Sequence, residues 1–210
     1  MTVRVLVLGG DFATNCYLLE SEKAAVIIDP AEYSPVLEEF LENNAEKQRL
    51  ILLTHCHFDH ISGAAQLRDN TGVDIAIGKN DAVGTKDTRI SLSSLFGGCH
   101  EPFDADILLS DGERFTVGDI EFKAIETAGH TIGGMCYLSG DMLFCGDTLF
   151  YGSVGRTDLY GGNHRTLMKS VSILAKTLDD SVTVYSGHGP ATTIGQEKLY
   201  NPYLKNYEAL

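Results

Sequence analysis

The chain is 210 residues long and carries 16 Lys and Arg against 29 Asp and Glu, a formal net charge of −13. A length of this size suits one domain that buries roughly 70% of the surface its unfolded chain exposes, and the acidic balance argues against a nucleic-acid partner gripped by a broad basic face. The longest apolar runs, at 24–28 and 50–53, fall far short of the roughly 18 residues of a spanning helix, so no membrane partner is expected.

The opening residues lack the charged region, long apolar core and small-residue cleavage site of a secretory signal, which predicts a cytoplasmic protein. Five cysteines without a CxxC pair read as free thiols in a reducing compartment, packed as small apolar groups.

Short β-branched runs alternate with Gly- and Asp-rich turns, a mixture that predicts an α/β or α+β chain. Strands are expected at 3–8, 16–20 and 24–29. Ser34-Pro35 then opens an amphipathic helix bearing Val36, Leu37, Phe40 and Leu41, with Pro at its first position. A strand at 50–54, a second helix after Ile61 and a strand at 73–77 follow. Residues 79–106 have weak periodicity and read as a partly helical excursion or a lid. Strands at 113–117 and 120–126 join through Gly118-Asp119, and strands at 135–139 and 142–145 through Gly140-Asp141, both hairpin signals. A third helix runs from about His164 to Leu178 with Leu167, Val171 and Leu174 on one face, and a strand at 182–186 completes the pattern. With no linker or repeat, residues 1–210 form one expected domain.

The informative residues are the histidines. Thr54-His55-Cys56-His57-Phe58-Asp59-His60 packs three of the seven into six positions beside an Asp, directly after an apolar strand. In an ordinary core each imidazole would need its own partner. Metal coordination removes the difficulty, because imidazole and carboxylate are good ligands for zinc, iron or manganese and a strand end presents alternate residues to one side. Three further apolar strands end the same way: one leads to Ala128-Gly129-His130, one to Gly146-Asp147, one to Ser186-Gly187-His188. In two of these the preceding Gly would let the backbone turn sharply. His55, His57, Asp59, His60, His130, Asp147 and His188 are too many ligands for one tetrahedral ion, and they suit two ions with a carboxylate between them. Such a pair can share a water, lower its pKa and stabilise attacking and leaving atoms, which is hydrolytic chemistry.

The pattern HxHxDH at 55–60 followed by His130, Asp147 and His188 resembles the metallo-β-lactamase superfamily. The resemblance implies an α+β fold, an αββα sandwich of two mixed sheets flanked by helices, with ligands on loops at one edge. It also implies that His55, His57 and His130 hold one metal, Asp59, His60 and His188 the second, and that Asp147 bridges them. Gly146-Asp147-Thr148-Leu149-Phe150-Tyr151-Gly152-Ser153-Val154-Gly155-Arg156-Thr157-Asp158 and Ser186-Gly187-His188-Gly189-Pro190 are similar to the short, single-domain glyoxalase II-like hydrolases, which cleave thioesters such as hydroxyacylglutathione. The implied cofactors are two divalent ions, zinc first and iron or manganese as alternatives, and the implied partner is a small-molecule thioester. A metal-bridging hydroxide would attack the carbonyl, one ion would polarise its oxygen and the other would receive the thiolate. Asp59 would also orient or deprotonate the attacking water. Arg156 would approach the pocket and pair with a substrate carboxylate, or else brace its own loop through a salt bridge.

Full-length glyoxalase II carries a C-terminal helical domain that helps bind glutathione, and no such segment is visible here. Lactam hydrolysis is not expected, because the secreted β-lactamases usually lack the full His60 pattern. The main alternative is a mononuclear-iron persulfide dioxygenase, which would use His55, His130 and Asp147 alone; Gly189-Pro190 after His188 favours the hydrolases. A nuclease of the same superfamily would carry an added RNA-binding arm. Tyr151 and His164 are weaker site candidates. Cys56 is expected to point away from the metals, and Cys99-His100 reads as surface loop.

Overall fold

The run Ala24-Ala25-Val26-Ile27-Ile28 is apolar at every position, so both faces of a strand built from it require cover. The computed structural model, which describes residues 1–96 and 101–205, supplies that cover by stacking two sheets and placing helices outside them.

The first sheet is built in the order β1 (Thr2–Leu8), β2 (Thr14–Glu20), β3 (Ala24–Ile28), β4 (Gln48–Leu53), β5 (Ile75–Gly78) and β6 (Ile107–Leu109). β1 to β3 pair antiparallel and β3 to β6 parallel, so the sheet is mixed. Its loops carry α1 (Pro35–Glu42), α2 (Phe58–Ile61), α3 (Ala64–Thr71) and α4 (Ser93–Phe96). The second sheet runs through β7 (Arg114–Val117), β8 (Ile120–Glu126), β9 (Met135–Ser139), β10 (Met142–Gly146), β13 (Thr183–Ser186) and β14 (Thr192–Thr193). A small ribbon of β11 (Leu149–Phe150) and β12 (Ser153–Val154) follows β10, and α5 (His164–Thr177) and α6 (Ile194–Tyr200) lie further along the chain.

Three apolar clusters make the layers. Ala24, Val26 and Ile28 meet Phe122, Tyr137 and Phe144 between the sheets. Ala25 and Ile27 face the other way, against Leu37, Leu41 and Ile61 of α1 and α2. Leu143 and Val184 of the second sheet bury Leu167, Val171 and Leu174 of α5. The result is the expected αββα sandwich, with period-two strands read on both faces because both faces are covered.

All ten expected strands are present, within two residues at either end. Ser34 caps α1, its hydroxyl accepting from Val36 N at 3.4 Å, and Asn163 caps α5, its side chain accepting from Thr166 N at 2.9 Å. β6, β11, β12 and β14 were not foreseen; at two or three residues they are too short to show a period. In the 79–106 stretch a 3-10 turn at Ala82–Thr85 and the short α4 account for the weak helical signal. Cys99-His100 lies outside the described residues. Cys56 is buried in the cluster beneath the first sheet, turned away from the site as its alternation requires. Among the described residues no helix is long and apolar enough to cross a membrane.

The pairing directions set the position of the functional loops. β3 and β4 are parallel neighbours, and β8, β10 and β13 share one direction because β9 runs antiparallel to both β8 and β10 while β13 is parallel to β10. The two rims are tied together: Met135 N donates to Thr54 O at 2.8 Å and Tyr17 Oη to Ser186 O at 2.6 Å. The C-terminal ends of β3, β4, β8, β10 and β13 therefore meet along one edge of the sandwich.

Candidate metal centre

Each of those strand ends delivers polar side chains to the same place. His55 follows β4, His57 stands at the N-cap of α2, and Asp59 and His60 lie in its single turn. His130 follows β8, Asp147 follows β10, and His188 follows β13. His55, His57, His60 and His130 are all buried, with the His55 ring centroid 4.1 to 4.9 Å from the other three. Asp59 and His188 keep 13% and 28% of their side chains exposed, which puts them on the open side of the cluster.

Two groups of three emerge. One ligand atom each from His55, His57 and His130 lie within 4.8 Å of one another, and the same holds for Asp59, His60 and His188. Asp147 reaches both: Oδ2 is 3.5 Å from His130 Nε2 and 3.5 Å from His188 Nε2, and Oδ1 is 3.4 Å from His60 Nε2. All seven residues named from the sequence are thus brought together, in the grouping the resemblance implied.

The surrounding hydrogen bonds fix which ring nitrogens face inward. The Asp29 carboxylate only accepts, so the Thr54 hydroxyl donates to Oδ2 at 2.6 Å and must in turn accept from His55 Nδ1 at 3.0 Å. His60 Nδ1 donates to the same Oδ2 at 2.9 Å, and Thr54 N fills Oδ1 at 2.8 Å. His130 Nδ1 donates to the Arg156 carbonyl at 2.8 Å. Each of these rings therefore turns Nε2, the nitrogen a metal would take, into the cluster, where His130 Nε2 is met by His57 Nδ1 at 2.9 Å and His60 Nε2 faces Asp147 Oδ1. Asp29, His55 and His60 also lie close enough to form a third group, but both Asp29 oxygens already accept hydrogen bonds and both Nδ1 atoms are engaged on that side.

Asp29 sits at φ 54, a left-handed backbone that carries its carboxylate around the end of β3 and under the histidines. A second buried carboxylate, Asp81, accepts from Cys56 N at 3.1 Å and from Gly133 N at 2.6 Å, joining the His55–His57 loop to the loop that carries His130. Neither was singled out from the sequence. Asp29 had the same signal as the ligands, a carboxylate ending an apolar strand, whereas Asp81 falls in a stretch without period.

The two glycines preceding histidines serve different ends. Gly129 has φ 133 and does turn sharply. Gly187 has no such conformation; a Cβ there would lie within 2.6 Å of His60 Cε1 and closer still to Asp147 Oδ1, so the site demands its small size.

Among the described residues, the buried nitrogens His55 Nε2, His57 Nε2 and His60 Nε2 and the oxygen Asp147 Oδ1 have no hydrogen-bond partner. Orphans of this kind are costly in a core, and four in one cluster have a natural explanation in cations. The donor set fits: imidazole and carboxylate, grouped in threes, with one carboxylate spanning both groups. Burial, with neighbouring imidazoles adding to it, holds His57 down at about 3 and His55 well below its usual value, so both are neutral at pH 7. Burial also opposes the charged forms of Asp147 and Asp59, but His60 and His188 outweigh it and keep both carboxyls ionised. His188 is pushed up to about 9: burial works against the charge, and hydrogen bonds to Asp147 and Asp59 overcome it. In the metal-free protein, protons on His60 and His188 thus occupy the place of cationic charge.

The cluster forms the floor of a cleft of about 610 Å³. Arg156 lines this cleft, but its guanidinium makes a two-pronged pair with Asp158, at 2.8 Å and 2.8 Å, the loop-bracing arrangement weighed from the sequence. Tyr151 lines the mouth, 57% exposed. His164 stands at the start of α5, 6.4 Å from the Tyr203 ring, and takes no part in either group.

The family model described as metallo-beta-lactamase superfamily matches residues 9–188. The hydroxyacylglutathione hydrolase GloC of Haemophilus influenzae is 33% identical over 206 residues, covering 93% of this chain and 94% of its own. Among solved structures, BLEG-1 B3 metallo-beta-lactamase superposes with a TM-score of 0.89 at 36% identity, covering 98% of this chain and all of its own. TTHA1623 in a di-iron-bound form gives a TM-score of 0.84 at 30% identity, covering 96% and 100%. The first two carry different activity names at similar identity, so identity alone does not rank thioester against lactam hydrolysis. With an αββα sandwich, seven His and Asp ligand candidates on one rim and a family model spanning most of its length, this chain belongs to the metallo-β-lactamase superfamily.

Proposed function

We propose that the protein is a dinuclear metal-dependent hydrolase that cleaves a small-molecule thioester. The observation that carries this reading is the pair of three-residue groups joined by Asp147. A single-iron oxygenase would need only His55, His130 and Asp147, leaving His57, Asp59, His60 and His188 without a task. The name of GloC supports the thioester, and the di-iron form of TTHA1623 supports the nuclearity.

His55, His57 and His130 would hold one ion and Asp59, His60 and His188 the other, with Asp147 between them. Bound there, two divalent ions supply a water of lowered pKa and Lewis-acid stabilisation of carbonyl oxygen and thiolate. The chain's own residues do the rest. Asp29 and Thr54 keep His55 and His60 in one tautomer and orientation. Asp59, on the open side with Oδ2 3.5 Å from His188 Nε2, orients the attacking water and accepts its proton. The cleft walls bind the substrate and thin the water around the reacting carbonyl.

The test is a panel on the metal-loaded protein: release of thiol from lactoyl thioesters, opening of a β-lactam, and oxygen uptake with a persulfide. Thiol release exceeding the other two supports the reading. Lactam opening without thiol release, or oxygen consumption without it, overturns the reading.

A further inference from the structure

One wall of the cleft is not used by this chemistry. Phe12, Phe58 and Phe96 pack ring on ring there: Phe12 meets Phe58 edge-on at 4.9 Å and Phe96 at 6.1 Å, and Phe58 stacks with Phe96 at 6.0 Å. Leu92 lines the cleft beside them. Phe58 is buried, whereas Phe12 and Phe96 are 40% and 44% exposed, and all three line the cleft.

The backbone holds these side chains at some cost. Leu92 has φ 67, a region that leucine seldom enters, and the tight turn presenting Phe12 ends on Ala13 at φ 51. Hydrogen bonds keep both loops in place: Leu95 N and Phe96 N donate to Leu92 O at 3.0 and 3.1 Å, and Ala13 N to Gly10 O at 3.1 Å. Phe58 N donates to Ser91 O at 2.8 Å, so this wall is fastened directly to the loop of His57 and Asp59. Strain retained in two separate loops around one apolar surface points to a binding role for that surface.

The charge around it selects the occupant. Asp11, next to Phe12, is the charged residue lining this wall, and among the described lining residues Arg156 is the one Lys or Arg, paired with Asp158. A carboxylate of glutathione laid on these rings would meet Asp11 and, among the described residues that line the cleft, no unpaired Lys or Arg. We infer that Phe12, Phe58, Phe96 and Leu92 form a subsite for an uncharged apolar arm of the substrate, aryl or alkyl, in preference to a carboxylate-bearing arm. Calling it a thioester's arm rests on the function proposed above; the subsite itself does not.

Uncleavable thioethers separate the two claims. Calorimetry on the metal-loaded protein would compare S-benzyl-N-acetylcysteamine, S-methyl-N-acetylcysteamine and S-methylglutathione. The benzyl compound is expected to bind at least about tenfold more tightly than its methyl analogue, with S-methylglutathione no tighter than the latter. Phe12→Ala and Phe96→Ala, at half-exposed positions, should each weaken the benzyl compound about fivefold and leave the methyl compound unchanged. Because the chain has no Trp, Phe12→Trp adds a single indole whose emission should shift on benzyl binding. Equal binding of benzyl and methyl compounds, or tightest binding of S-methylglutathione, overturns the subsite. Turnover of phenylacetyl-N-acetylcysteamine against S-benzyl thioacetate then tells whether the acyl or the thiol arm lies on the rings. If neither thioester is cleaved, the proposed function fails, and the thioether affinities still decide the subsite.

Discussion

Replacing Asp29 by Asn isolates the network that orients the candidate ligands. Asp29 accepts three buried hydrogen bonds, from Thr54 N on one oxygen and from the Thr54 hydroxyl and His60 Nδ1 on the other. An amide has one acceptor oxygen. Turned to serve the hydroxyl and His60, it sets its NH2 against the Thr54 N–H, donor facing donor; turned the other way it faces two donors. The better orientation leaves the Thr54 N–H and the amide's own NH2 without an acceptor there and removes charge assistance from the rest, about 1–3 kcal/mol. For a chain of this size that lowers Tm by roughly 2–12 °C. The same carboxylate fixes His60 directly and His55 through Thr54, so metal affinity should fall by about 10–100-fold. Thermal unfolding of the metal-free proteins measures the first effect, and competition against a chelator the second. If D29N keeps both Tm and metal affinity, Asp29 does not hold the histidines and the assignment of their inward nitrogens is wrong.

Three further outcomes follow from the same geometry. Gly187→Ala forces a Cβ against Asp147 and His60, and should destabilise by about 1–3 kcal/mol while releasing metal; a stable variant with unchanged metal content would contradict the close approach. In the metal-free protein the His188 pKa is raised to about 9, so its contribution to stability is fully present below its ordinary value of 6.5 and is lost as pH rises through 9. Metal uptake below pH 9 must therefore release a proton, detectable as a buffer-dependent heat, and an uptake heat independent of buffer would refute it. Burial pushes the thiols of Cys16, Cys56, Cys136 and Cys145 up, so none should react with an aromatic disulfide reagent until the protein unfolds; rapid labelling of any of the four in the native state would contradict their packing.

The metal candidates were legible because they repeat one local grammar, an apolar strand ending on His or Asp. That grammar needs no knowledge of which strands are neighbours, since shared direction brings their ends to one rim. The strands were legible for a related reason: runs such as 24–28 and 50–53 state that both faces are covered. What holds the ligands was not legible. Asp29 meets Thr54 and His60 across 25 and 31 residues, and Asp81 reaches Gly133 across 52, contacts made by the folded sheets and not by any local period. Arg156 illustrates the opposite case. Its partner Asp158 lies two residues away and was visible in the sequence, yet only the structure shows that the guanidinium is taken. Gly187 carried the right signal for the wrong reason, since its role is to make room and not to turn.

The most direct test of the dinuclear hydrolase is to titrate metal into the chelator-stripped protein while recording thiol release from a lactoyl thioester and oxygen uptake together. Two groups of three ligands joined by Asp147 predict that thiol release rises and levels off at two equivalents per chain, with no oxygen consumed. Full activity at one equivalent, or oxygen consumption without thiol release, would contradict it.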